Sequence, residues 1–216
     1  MTKSEKKTLK EQNHWLIGLF ILWSCSLYAV FLATQVSLFA DFPAAFAKLS
    51  AKDGIFAAFS PLLAVVLTGL VSSGNKARLI FWRCRDALPG HRAFSRLARN
   101  DARIDLPRLR DLVVPWPDTR ADENRVWFAI YKKFTNASTV LQAHKAFLLN
   151  RDIATIALIF AVVGPLGLCL SGVELQRLTG YVSVMLMQYL IFMIVARNHG
   201  NRFVCNVLVE FIASKR

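Results

Sequence analysis

IATIALIFAVVGPLGLCLSGV, residues 153–173, holds no Asp, Glu, Lys, Arg or His over 21 positions. A helix rises about 1.5 Å per residue and a bilayer core is about 30 Å thick, so a run of this length is long enough to cross it. Three further runs in the 216-residue chain lack Asp, Glu, Lys and Arg: Trp15–Ala40, Gly54–Asn75 and Leu178–Ala196, of 26, 22 and 19 residues. Helices buried in a soluble core usually keep a polar face. The sequence therefore predicts an all-α membrane protein with four transmembrane helices. These are TM1 over 15–40, TM2 over 54–74, TM3 over 153–173 and TM4 over 178–196.

Composition agrees. The chain is 55% apolar, above the roughly 45–50% of soluble domains. Its formal charge is nonetheless +13, from 27 Lys+Arg against 14 Asp+Glu. Of these 27 basic residues, 24 fall in the segments 1–14, 76–152 and 197–216, and only 3 in 41–53 and 174–177. Cytoplasmic loops carry the excess of Lys and Arg. The expected arrangement is a bacterial inner (plasma) membrane protein with both termini cytoplasmic. It has a basic tail over 1–14, a periplasmic loop over 41–53 and a periplasmic hairpin over 174–177. Residues 75–152 form a basic helical cytosolic cap between TM2 and TM3, and 197–216 an amphipathic cytosolic tail. The run Trp15–Ala40 exceeds the 7–15 residues of a signal-peptide core, so we read it as a retained span.

The cap is where partners are expected. It holds 16 basic and 8 acidic residues. Asn75–Ala87 reads as a helix stopped by Leu88-Pro89-Gly90. His91–Asn100 reads as a second helix, with Phe94 and Leu97 inward and Arg92, Arg96 and Arg99 outward. Asp105 with Pro107 in the next turn is a helix start. Asp118 is expected to cap a helix reaching Phe134. Asn136 opens another, with Val140, Leu141, His144, Phe147 and Leu148 on one face, running on into TM3. Candidate contacts for a partner or for lipid are Arg83, Arg85, Arg92, Arg96, Arg99 and Trp116. Basic residues at this border attract anionic membrane lipid. The aromatic residues follow helix-core spacing rather than a stacking platform, so nucleic acid is not the expected partner.

Chemistry is sparse. No Walker loop, HExxH, GxSxG or Rossmann fingerprint is present. The four cysteines and four histidines are scattered, and no catalytic, metal or cofactor site is expected. Arg85-Asp86 followed by His91 is similar to the loose Arg–polar–His pattern of HEPN-type ribonucleases, whose His and Arg act on an RNA phosphate. Here Pro89-Gly90 interrupts the helix that would bring them together, so we read a solvated Arg and a turn His. In the spans, Ser24, Ser26, Thr34 and Gln188 are candidate interhelical or pore-lining polar groups. Ionisable residues inside a span mark transporters, and these runs have none. The expectation is a non-enzymatic anchor, sensor or regulatory subunit, homo-oligomeric, that docks a cytosolic protein partner on its cap. The alternative is a pore-forming or membrane-perturbing effector such as a bacterial defence or toxin component.

Overall fold

The computed structural model describes residues 13–32, 66 and 69–215. Among these, every regular element is helical. The main helices among the described residues are α1 His14–Leu32, α2 Ser73–Phe81, α3 Leu106–Leu112, α4 Arg120–Tyr131, α5 Ser138–Leu170 and α6 Leu175–Ala213. Between α2 and α3, residues Pro89–Asn100 wind as successive 3₁₀, π and α turns. Among the described residues three helices, α1, α5 and α6, are long and apolar enough to cross a membrane. The expected second span over 54–74 lies outside the described residues except for Val66 and 69–74, and the tail 1–12 and loop 41–53 lie outside them entirely.

The chain divides into two compact units, Met1–Ser72 with Asp152–Phe192, and Ser73–Arg151 with Met193–Arg216. The first unit is held by aromatic rings set against glycines. Tyr181 is fully buried, lies edge-on to Tyr28 and Phe31 at 6.0 and 5.5 Å, and donates from Oη to the Phe160 carbonyl at 3.1 Å. A side chain at Gly164 would overlap the Tyr181 ring, and one at Gly167 would overlap the Tyr28 hydroxyl. Small residues are what let helices approach this closely in a bilayer. Pro165 sits inside α5 without ending it. The helix stops at Leu170, where Gly172 takes φ +73° and Val173 N–H reaches back to the Leu168 carbonyl. This is a Schellman cap. The turn therefore spans 171–174, and α6 has already begun at Leu175, within the hairpin expected over 174–177. Trp15, Leu19, Leu22 and Trp23 on α1 are each more than half exposed, as are Met187 and Ile191 on α6. Apolar surface of this extent is what a helix offers to lipid.

The second unit packs α3, α4, the start of α5 and the end of α6 around Phe94, Leu109, Trp127, Val140, Phe203, Val204 and Leu208. Trp127 stacks on Tyr131 at 5.6 Å, meets Phe203 edge-on and donates from Nε1 to the Val204 carbonyl. His144 lies flat on Phe203 at 4.4 Å, its Nδ1 3.1 Å from Tyr131 Oη. Residues 197–213 are not a separate amphipathic tail here. They continue α6, and both Phe203-Val204 and Val207-Leu208 are buried in this core. Gly200 permits the packing, because a Cβ there would stand 3.1 Å from Phe147 and from Phe81.

Several boundaries differ from the sequence reading. The helix expected through Ala87 ends at Phe81, where Trp82 takes φ +50°, a turn that no residue type in the stretch announces. The α4 cap is Thr119, one residue after Asp118, and Thr119 Oγ1 accepts from Asp122 N at 3.1 Å. Asp105 caps α3 as expected, accepting from Arg108 N at 3.1 Å.

Candidate functional site

The reversal at Trp82 and a second positive φ at Asp86 carry the chain from α2 into the 3₁₀ turn Pro89–Arg92. That turn is pressed onto α4. A side chain at Gly90 would collide with Asn124 and Trp127. One turn later, the buried carboxylate of Glu123 on α4 accepts the Phe94 and Ser95 amides at 2.8 and 3.0 Å. These amides have lost regular helical partners because the chain passes from 3₁₀ to π winding. Glu123 thus fixes the Ala93–Phe94 and Phe94–Ser95 peptides, just beyond Arg92.

The consequence is a cleft of about 460 Å³ lined by Phe81, Arg83, Arg92, Arg96, Leu97, Asn100, Arg197 and Asn201. Arg92 is 8% exposed and lies over the Phe81 ring at 5.3 Å. The Arg197 guanidinium lies over the Trp82 ring at 4.8 Å, and its Nε donates to the Ile80 carbonyl. Cations over aromatic faces are steadied without being neutralised. Among the described residues no carboxylate pairs with any of the four arginines. Burial first, then the neighbouring charges of Arg83, Arg96, Arg120 and Arg197, pull the Arg92 guanidinium down to about 10. A chain that gathers like charges around a buried guanidinium loses stability unless an anion joins them.

Three of the sequence-predicted residues, Arg83, Arg92 and Arg96, meet in this cleft. Arg92 is the correction: expected outward, it is buried, because the 3₁₀-to-π passage breaks the regular helical spacing on which the outward face was read. Arg85 and Arg99 are exposed and do not line the cleft. Trp116 lies elsewhere, edge-on to Phe94 at 5.2 Å and under the Arg110 guanidinium. Arg197 and Asn201 were missed. They stand at i and i+4 directly after the uncharged run Leu178–Ala196, and that spacing was the one signal that they share a helix face. His91 turns to the Leu88 carbonyl at 3.3 Å and to Asp86 at 3.7 Å.

In the first unit the polar candidates among the described residues do not converge. Ser24 and Ser26 donate to the carbonyls of Phe20 and Leu22, each at 2.9 Å, and Ser183 donates to Thr179. Gln188 is half-buried and its Oε1 has no partner among the described residues. Thr34 lies outside the described residues. No protein-family model, no curated protein and no solved structure matches this chain.

Proposed function

We propose that this chain is a non-enzymatic, multi-pass inner-membrane protein with four spans and cytoplasmic termini. It acts as a sensor or regulatory subunit, assembles as a homo-oligomer and receives an anionic partner on its basic cytosolic unit. The observation that carries the reading is the convergence of Arg83, Arg92, Arg96 and Arg197 on one cleft with no carboxylate paired to them among the described residues. Arginine presents planar forks of donors that suit carboxylate and phosphate groups. The exposed apolar residues of α1 and α6 fit lipid or a second copy. The serine hydroxyls turn back to their own helices, which leaves them little reason to line a pore.

The test is the mass of the full chain in nanodiscs together with everything that stays bound to it. An anionic species retained by the native chain and lost from the double variant Arg92→Gln/Arg197→Gln is the expected outcome. The same bound complement in both chains overturns the reading.

A further inference from the structure

We infer that the arginine cleft is a binding site for a paired phosphate group, either a soluble diphosphate or a bis-phosphate lipid headgroup. The inference rests on the receptor reading above and names its ligand. Three features select the chemistry. First, the lining brings four guanidiniums, from Arg83, Arg92, Arg96 and Arg197, and the side-chain amides of Asn100 and Asn201 to one place, with neither a lysine nor a carboxylate among them. One carboxylate cannot balance that charge. Two adjacent phosphates offer several anionic oxygens within one compact group, each able to accept a guanidinium fork. Second, the cleft measures about 460 Å³, within the roughly 300–1,000 Å³ of small-ligand sites and larger than a lone phosphate fills. Third, two of the guanidiniums are already oriented. Arg92 is buried against Phe81, Arg197 is held by the Trp82 ring and the Ile80 carbonyl, and Glu123 pins the Phe94 and Ser95 amides just beyond Arg92. Groups ordered before binding lose less freedom when the ligand arrives.

Both sources of such a group have support in the chain. Arg197 is the first charged residue after the uncharged run ending at Ala196, the place in sequence where headgroup contacts concentrate. Arg96 and Asn100 are exposed, so the cleft is open to solvent-borne ligands as well.

The experiment is calorimetric titration of inorganic pyrophosphate into the full chain in nanodiscs of zwitterionic lipid, repeated in nanodiscs containing cardiolipin. Pyrophosphate binding that weakens at least about tenfold in Arg92→Gln and in Arg197→Gln supports the inference. Binding in zwitterionic discs that cardiolipin leaves unchanged assigns a soluble diphosphate; binding suppressed by cardiolipin assigns the lipid headgroup. Arg92→Lys keeps the charge but loses the fork, and is expected to fall between the native chain and Arg92→Gln. Removing a buried charge from among like charges is expected to leave the Arg92→Gln melting temperature no lower than the native value, a split between stability and affinity that a purely structural arginine does not give. Arg96→Gln, at an exposed position, keeps the test open if a buried variant fails to fold. No binding in zwitterionic discs, or binding equal in all variants, overturns the inference. If pyrophosphate fails while an arginine-dependent species still co-purifies, the diphosphate assignment falls and the receptor reading stands. If both fail, both fall.

Discussion

The two compact units treat their polar groups in opposite ways. In the first, Ser24, Ser26 and Ser183 spend their hydroxyls on carbonyls of their own helices, and the Tyr181 hydroxyl reaches the Phe160 carbonyl. Such back-bonds satisfy the hydroxyls on the backbone and leave little over for a ligand. In the second, the buried glutamate Glu123 is committed to two backbone amides rather than to a cation. Arg83, Arg92, Arg96 and Arg197 then face a common cleft with no carboxylate paired to them among the described residues. The contrast separates hydroxyls that close on backbone carbonyls from guanidiniums with charge left to satisfy. Binding belongs to the second kind of surface.

The largest effects that sharpen this contrast are on folding. Trp127 anchors the second unit through Tyr131, Phe203 and the Val204 carbonyl, so Trp127→Ala is expected to cost about 3–5 kcal/mol. Gly164 anchors the first by what it lacks, so Gly164→Leu is expected to cost about 1–3 kcal/mol through the displaced Tyr181 ring. Denaturant unfolding of the chain in detergent, followed by tryptophan emission and by helical circular dichroism, measures both. Equal transitions in the two variants and the native chain would break the packing account of each unit.

A smaller effect comes from acid. The Arg103 guanidinium, 2.7 Å from Asp101, holds the Asp101 carboxyl down to about 2 from the ordinary 3.8. Between those values the unfolded chain binds more protons than the folded one, so stability rises with rising pH and is lost as pH falls. The contribution is complete above about pH 4 and is lost as pH drops through about 2. Arg103→Gln is expected to shrink that loss, read as a flatter dependence of the melting temperature on pH over this window. An unchanged slope would remove Asp101 and Arg103 from the forces that hold the second unit.

How much of this was legible in the sequence follows from how local each signal is. The uncharged runs are local, and three of them coincide with helices long and apolar enough to span a bilayer. The α3 start is local too, since Asp105 and Pro107 act on their own first turn. The end of α2 was not legible, because a tryptophan at φ +50° is held by its surroundings rather than by its own preference. The cleft was legible only in part. Arg83, Arg92 and Arg96 are close in sequence and drew attention as a group. Their direction depends on the 3₁₀-to-π winding that Gly90 permits and Glu123 fixes from α4. Arg197 arrives from a helix about a hundred residues later, and no spacing rule joins positions so far apart.

The most direct test of the central claim is hydrogen exchange on the full chain in nanodiscs, with and without inorganic pyrophosphate. A ligand seated in the cleft is expected to slow exchange over 80–100 and 193–202, and to leave 175–192 and the α1 amides as they were. The same protection pattern with and without the anion, or slowing spread evenly over both units, would contradict the account.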